Sequence, residues 1–315
     1  MQAAILGAGL GTRLRPLTYR TPKALVPVLN RPLLGVVLAQ LREAGATRLA
    51  VNTHHLADQV QHFIEANCPS GLEVVIRPEP EILGTGGGLG SLGGALGDGP
   101  FLAVNADILT DLDMAAIFQA HQEEALATLV LHDYPPYNTV WIDEELKVTG
   151  IGRRPDEKAA AALAYTGVQV VNPRLLQWLP QQEYADLVAV WRQAIAQGER
   201  LSAVVVSGCF WQDLGTPEAY LAAHARLLSG ASPGLARFFA TLADPLVGEE
   251  AVLGEEITCA GGVCLGRGVH VGQGAWLKNT VVWDRAWIAP QVRLENCIVG
   301  HGARVSASAR DRVLV

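Results

Sequence analysis

The 315-residue chain lacks any uninterrupted apolar stretch approaching the roughly 18 residues that a bilayer-crossing helix needs, although half of its residues are apolar. A membrane partner is thereby excluded, and the apolar amino terminus, which has no basic leading segment, reads as a strand and loop rather than a signal peptide. Cysteine is scarce. The five cysteines, at 68, 209, 259, 264 and 297, are odd in number and show no C-x-x-C spacing, which argues against a disulfide framework and a zinc site. The eight histidines show no H-x-x-x-H spacing, and His54-His55 reads as a surface pair opening a helix. These absences together predict a soluble, cytoplasmic protein.

The most telling absence is of acid near the start. The first 42 residues contain no Asp or Glu but carry Arg13, Arg15, Arg20, Lys23, Arg31 and Arg42, a local +6 in a chain of formal net charge −7. A small cationic island in an acidic protein suits a compact polyanion, whereas a nucleic-acid binder spreads basic charge over a whole domain. Nucleic acid is therefore not an expected partner, and ordinary solvated surface charge is the alternative reading.

The glycines Gly7, Gly9 and Gly11 fall directly after the apolar run Ala3-Ala4-Ile5-Leu6, at the carboxyl end of a buried strand, where open α/β sheets bind ligands. Glycine there admits positive φ and lets backbone N–H groups approach phosphate oxygens. Two familiar phosphate loops fail on spacing. The sixth position of a G-x-G-x-x-G fingerprint is Thr12, and the strand Leu49 to Thr53 ends in His54-His55 with no acid for a ribose, so hydride transfer is demoted. A P-loop needs Lys directly after the closing glycine, where this chain has Thr12-Arg13.

Along the chain, β-rich runs alternate with helical patterns up to about residue 228, as in a mostly parallel, mixed sheet sandwiched by helices. Leu33, Leu34, Val37, Leu38 and Leu41 share a helical face with Gly45 at its end, and Leu56, Val60, Phe63 and Ile64 predict a second helix. Strands are predicted near Glu73–Arg77, Phe101–Asn105, Ala127–Leu131, Tyr165–Val171 and Leu201–Val206. Ser229 to Gly234 is a breaker cluster opening a linker over 229–250. From there Leu253, Cys259, Leu265, Val271, Leu277 and Trp283 recur six apart; the phase slips by one at Ile288 and Leu294, and again at Val299 and Val305. Six-residue repeats predict a short parallel β-helix over 251–310, with alternation in a β-sandwich as the alternative.

The loop Gly9-Leu-Gly11-Thr12-Arg13-Leu-Arg15-Pro16-Leu-Thr18, followed by Pro22-Lys23, resembles the opening motif of the sugar-1-phosphate nucleotidylyltransferases. The resemblance continues in Leu83-Gly84-Thr85-Gly86-Gly87, in Val104-Asn105-Ala106-Asp107 and in Trp211-Gln-Asp213-Leu-Gly215-Thr216-Pro217, spanning residues 1–228. It implies the nucleotide-diphospho-sugar transferase α/β fold, with the appended β-helix left-handed. It also implies in-line attack of a sugar 1-phosphate on the α-phosphorus of a nucleoside triphosphate, releasing pyrophosphate. By resemblance Arg13 neutralises the triphosphate, and Lys23 bridges the α-phosphate and the sugar phosphate. Gly7, Gly9, Gly11 and Thr12 line the phosphates, Gly84, Thr85 and Gly86 hold the base, and Asn105 orients the nucleotide. Such chemistry leaves the protein chiefly to position reactants and neutralise charge. Mg²⁺ takes oxygen ligands, commonly one or two carboxylates plus phosphates and water, and Asp107 and Asp213, each after a strand, fit that need. Asp111 and Asp113 read as capping residues instead.

Sugar recognition departs from the family pattern. Where many relatives carry Glu-Lys-Pro, this chain has Arg153-Arg154-Pro155; an arginine can meet a phosphate, but the acceptor for sugar hydroxyls is missing. Asn138, Tyr165, Thr166 and Gly167 are the remaining candidate sugar contacts. By motif the nearest subgroups are the mannose or heptose phosphate guanylyltransferases and the amino-sugar phosphate uridylyltransferases. A regulatory subunit without catalysis is a second reading, although such proteins usually lose the Lys or a metal Asp. A bifunctional enzyme with an acyltransferase β-helix is a third, with His270 and His301 as its candidate bases. The β-helix is expected to mediate homo-oligomers, since Trp276, Trp283 and Trp287 crowd twelve residues.

Overall fold

The computed structural model describes residues 1–135, 137–154, 159–180, 182–239 and 242–315, which form two compact units. The first comprises residues 1–10, 37–108 and 112–209; the second comprises residues 11–36, 109–111 and 210–315. Pro155 and residues 240–241 of the expected linker lie outside the described residues.

The first unit is built on a nine-stranded sheet. Its strands are β1 (Gln2–Leu6), β2 (Arg48–Thr53), β3 (Glu73–Pro78), β4 (Phe101–Asn105), β5 (Ala127–His132), β6 (Val140–Ile142), β7 (Val148–Ile151), β8 (Ala161–Val171) and β9 (Leu201–Val205). The lateral order β7-β6-β8-β4-β1-β2-β3 is extended by β5 on β8 and β9 on β5. β1 runs parallel to β2 and β4, β2 to β3 and β5 to β9, whereas β8 is antiparallel to its neighbours. Ala3, Ala4 and Ile5 are fully buried, as expected of a central parallel strand covered on both faces. Because β1 lies between β2 and β4, the chain reverses its direction of sheet growth there, and ligand-binding loops of open α/β sheets gather at that switch point.

Helices α1 (Leu33–Glu43) and α2 (Ala57–Asn67) stand where the apolar periodicity puts them. Gly45, at φ 91°, closes α1 with the Ala46 amide donating back to Leu41, the left-handed cap its position predicts. The segment Gly84–Gly93, whose glycine density favours a loop, is α3, with Gly86, Gly87, Gly88, Leu89, Leu92 and Gly93 buried. Six glycines in ten residues oppose a helix by up to about 1 kcal/mol each relative to Ala. Packing overrides this: a Cβ on Gly87 would strike the Glu183 carbonyl, and one on Gly88 would lie 2.6 Å from Asn52 Nδ2. Helices α4 (Met114–Gln119), capped by the Asp113 carboxylate on the Ala116 amide, and α5 (Leu187–Ala196) complete the layers of this unit.

The second unit holds α6 (Pro217–Leu228), capped by Thr216, and a C-terminal stack of short parallel strands. Val252 pairs with His270 and Thr258 with Trp276, an 18-residue rung; His270 then pairs with Trp287 and Trp276 with Arg293, a 17-residue rung. The shortening by one puts Val282, paired with Leu265, at the repeat position expected for Trp283, so the first slip falls at Val282 and not at Ile288. Leu265, Val271, Leu277, Ile288, Leu294 and Val299 are each fully buried and form one core with Val282 and Cys297. Leu253, on the first rung, stays 43% exposed. Trp283, expected at an interface between copies, is buried inside the chain, where its indole N–H donates to the Tyr220 hydroxyl at 3.0 Å.

His224 of α6 is fully buried. Its Nε2 accepts from the Leu29 amide at 3.2 Å, so its Nδ1 carries the proton and donates to the Tyr220 carbonyl at 2.9 Å. That bonding requires a neutral ring, and burial pushes the imidazole pKa down to about 4. The unfolded chain takes up this proton near pH 6.5 and the native protein does not, so stability falls as the pH drops from about 6.5 towards 4. The full shift corresponds to about 3 kcal/mol. Urea unfolding of wild type and His224→Gln at pH 7 and pH 4.5 checks this: the pH-dependent loss assigned to this ring vanishes in the variant, and equal losses in both proteins contradict it.

Candidate active site

In the first unit the polar candidates line up by strand register. Leu6, the last residue of β1, is flanked by Asn52 on β2 and by Asn105 on β4. Gly7 follows immediately, and its N–H donates to Asn52 Oδ1 at 2.7 Å. Gly9 is exposed with no atom within 4 Å of where a Cβ would stand, so its backbone is open to a ligand. Asp107 is half-buried two residues after β4.

Asn52 has a second bond that the sequence reading missed. Its Nδ2 donates to Glu79 Oε1 at 2.6 Å, while Glu79 Oε2 accepts from the Leu83 amide at 3.0 Å. Asn52 and Glu79 are 2% and 4% exposed. One buried carboxylate thus ties the Gly7 loop to the start of α3, the two segments expected to hold phosphate and base. Polar residues closing the otherwise apolar strands β2 and β3 were the available signal. On the other side of α3, the Gly86 amide donates to the Ala185 carbonyl at 2.8 Å, and exposed Thr85 accepts from the Leu187 amide at 3.2 Å.

The sugar candidates separate into two kinds. Gly167, at φ 84°, sits in a register break of β8 between Tyr165 and Gln169, and a Cβ there would lie 3.1 Å from Asn105 Nδ2. Thr166 is fully buried, its hydroxyl donating to the Val130 carbonyl at 2.9 Å, so it shapes the bulge and presents no surface to a ligand. Tyr165 packs edge-on against Trp191 at 5.1 Å, and burial pushes its hydroxyl pKa up. Asn138 closes its own loop, accepting from the Tyr134 amide and donating to Asp133. Arg154 lies over the Trp141 ring at 5.5 Å.

In the second unit three 3-10 turns, Thr12–Leu14, Leu17–Tyr19 and Lys23–Leu25, carry the cationic segment. Leu14, Leu17, Ala24 and Val26 are buried and anchor the turns, while Thr12 and Arg13 face outward. Gly11, at φ 63°, admits no side chain, because a Cβ would fall 2.9 Å from Thr18 and 3.2 Å from the Lys23 Cβ. Thr18 returns its hydroxyl to the Gly11 carbonyl at 2.8 Å. Arg15 is exposed and covers the Tyr19 ring, as expected of a peripheral residue.

These turns bring Arg13 and Lys23 to one carboxylate. Arg13 Nη2 stands 3.5 Å from Asp213 Oδ2, and Lys23 Nζ stands 3.7 Å from Asp213 Oδ1. The Lys23 side chain is 12% exposed against 58% for Arg13. Asp213 Oδ1 is inaccessible and has no hydrogen-bond partner among the described residues, with the Lys23 ammonium at ion-pair range. An orphaned anionic oxygen of this kind fits a divalent cation, and Asp213 has the donor chemistry that Mg²⁺ requires. Asp107 offers a second carboxylate and belongs to the first unit. Among the described residues no group of three or more His, Cys, Asp or Glu is arranged around an ion.

A model of the nucleotidyl transferase family matches residues 2–230 of the chain. The N-acetylmuramate alpha-1-phosphate uridylyltransferase of Neisseria meningitidis serogroup B is 35% identical over 220 residues, 69% of this chain and 94% of the relative. The mannose-1-phosphate guanylyltransferase of Mycobacterium tuberculosis is 27% identical over 289 residues, 90% of this chain and 80% of the relative. Among solved structures, HddC from Yersinia pseudotuberculosis complexed with GMP-PN superposes with a TM-score of 0.59 at 21% identity, covering 70% of this chain and 97% of that one. That likeness shows the α/β fold.

Two substitutions test the geometry. Glu79→Ala leaves the Asn52 amide and the Leu83 N–H unpaired, and lowers unfolding stability in urea by about 2 kcal/mol; an unchanged midpoint contradicts the buried tie. A Cβ on Gly215 would strike the Arg13 guanidinium and lie 2.8 Å from Asp213 Oδ1. The guanidinium can swing away, so Gly215→Ala leaves the melting temperature within a few degrees while displacing Arg13 from Asp213. Nucleotide turnover then falls about tenfold or more, and wild-type turnover contradicts the assignment.

Proposed function

The chain belongs to the nucleotidyl transferase family, and we propose that it transfers a nucleoside monophosphate from a nucleoside triphosphate to a sugar 1-phosphate, giving a nucleotide-sugar and pyrophosphate. The observation that carries this reading is the convergence of Arg13 and Lys23 on the Asp213 carboxylate, one of whose oxygens has no hydrogen-bond donor among the described residues. A phosphate oxygen of the sugar attacks the α-phosphorus, the new P–O bond forms, and the bond to the bridging oxygen breaks, with its electron pair leaving on pyrophosphate. No covalent intermediate on the protein is needed.

The residues divide that work. Arg13, largely exposed, neutralises the triphosphate and the departing pyrophosphate. Lys23, largely buried and held at its backbone by a 3-10 turn, bridges the α-phosphate and the sugar phosphate. A fixed cation between two anionic reactants stabilises charge without reorganisation and holds them in line. Gly7, Gly9, Gly11 and Thr12 offer backbone to the phosphates, while Gly84, Thr85 and Gly86 with Asn105 receive the nucleoside. Tyr165 and Gly167 border the sugar, Asn138 acts by closing the loop at Tyr134, and Thr166 acts by fixing the bulge at Gly167. Asp107 and Asp213 would hold Mg²⁺, which supplies electrophilic assistance to the phosphates when bound.

The proposed substrate class is a uridylyl or guanylyl transfer onto an amino-sugar or mannose-type 1-phosphate, a reading supported by the names of two relatives. Residues 1–228 are the catalytic domain, 229–250 a linker, and 251–310 a left-handed hexapeptide-repeat β-helix, a reading supported by the 17- and 18-residue rungs. Its first rung pairs on one side only among the described residues and exposes Val247, Val252 and Leu253, which supports assembly with a second copy. No helix among the described residues is long and apolar enough to cross a membrane. A cytoplasmic site follows from the need for nucleoside triphosphates.

Pyrophosphate release, measured for each common nucleoside triphosphate against a panel of sugar 1-phosphates with Mg²⁺, tests the function. One base and one sugar class are turned over, and Lys23→Ala lowers that rate at least a hundredfold with an unchanged circular dichroism spectrum. Absence of release across the panel, or a Lys23→Ala protein as active as wild type, overturns the proposal.

A further inference from the structure

The segment that follows Lys23 does not hold its own shape. Pro27–Val28 pairs with Arg31–Pro32 across a two-residue turn, in which Leu29 and Asn30 have φ of 45° and 66°. Positive φ suits asparagine and disfavours leucine, so the turn needs support from outside. It receives three pins. The Tyr220 hydroxyl donates to the Pro27 carbonyl, the Leu29 amide donates to His224 Nε2, and Asn30 Nδ2 donates to the Leu265 carbonyl at 2.7 Å. The Cys264 thiol also donates to Asn30 Oδ1 at 3.2 Å. Two pins come from α6 and the rest from the C-terminal strand stack.

The Pro27 carbonyl can only accept, so the first pin has one direction, and Trp283 fixes the position of the hydroxyl that makes it. An indole N–H can only donate, so its 3.0 Å bond to the Tyr220 hydroxyl makes that oxygen the acceptor. The hydroxyl proton is then left to point at the Pro27 carbonyl. Tyr220 is fully buried and Trp283 is 5% exposed, so no water competes for either group. Pro27 is four residues from Lys23, and the buried Ala24 and Val26 lie between them.

We propose that Trp283 of the strand stack is a positioning residue for Lys23, acting through the Tyr220 hydroxyl and the Pro27–Pro32 turn, so that the C-terminal stack takes part in turnover. The inference rests on the proposed role of Lys23. A lysine displaced by a fraction of an ångström still binds phosphate but no longer bridges the two reactants in line, so the loss falls on kcat rather than on KM. The stack thereby contributes to catalysis without touching substrate.

The test uses full-length Trp283→Phe, Tyr220→Phe and the double variant, all of which keep aromatic bulk in the buried site. In each single variant kcat falls about tenfold, both KM values stay within threefold, and hydrogen exchange of the Leu29 amide accelerates at least tenfold. The double variant is no worse than Tyr220→Phe alone, because the indole acts only through that hydroxyl. Should Trp283→Phe prove unstable, Tyr220→Phe carries the same kcat and exchange expectations by itself. A kcat within twofold of wild type with unchanged Leu29 exchange overturns the proposal, as do single effects that multiply in the double variant. Lys23→Ala measured alongside separates the two claims. Undiminished activity there refutes the reading of the site, whereas the exchange of Leu29, which is independent of turnover, still decides whether Trp283 acts on the turn.

Discussion

One carboxylate organises the cationic segment. Asp213 lies 3.5 Å from the Arg13 guanidinium and 3.7 Å from the Lys23 ammonium, cations carried on consecutive short turns. Neither distance is that of a tight hydrogen bond, and one oxygen of the carboxylate has no donor among the described residues. A fully satisfied ion pair would be a structural device, whereas a loosely held one can exchange its partners for phosphate and metal. The surroundings keep the arrangement loose: Gly215 leaves space for the Arg13 tip, and Gly11 lets Thr18 and Lys23 pack against the loop backbone.

The first unit solves a different problem by similar means. Parallel strands deliver Gly7, Asn52 and Asn105 to one line of register, but register alone does not orient a loop. The buried Asn52–Glu79 pair does so, joining the Gly7 loop to the start of a glycine-rich helix whose own propensity opposes its formation. The polar groups are well matched, each donor having a buried acceptor, which is the condition under which burying them is tolerable.

Much of this was legible in the chain itself. The strand before Gly7, the left-handed Gly45 and the Asp113 cap follow from local rules, and each is where those rules put it, whereas the six-residue repeat slips at Val282 and not at Ile288. What stayed hidden depends on residues far apart in sequence. The segment from Gly84 reads as a loop because its glycines disfavour a helix, and only the close approach of 183–185 and of Asn52 explains why the helix forms with glycine there. Trp283 reads as surface material for an interface, because nothing near it in sequence announces Tyr220 as its partner. Thr166 and Asn138 were legible as polar residues in the expected region, but not that their side chains were already bonded within the protein.

The proposed function stands on Asp213 as the group that lies against both cations and would hold the metal. Its most direct test is the Mg²⁺ dependence of pyrophosphate release by Asp213→Asn, which keeps the size of the side chain and removes its charge. The account predicts a rate at least a hundredfold lower, with half-saturation shifted to at least tenfold higher Mg²⁺. An Asp213→Asn enzyme with the wild-type rate and the wild-type Mg²⁺ dependence would contradict it.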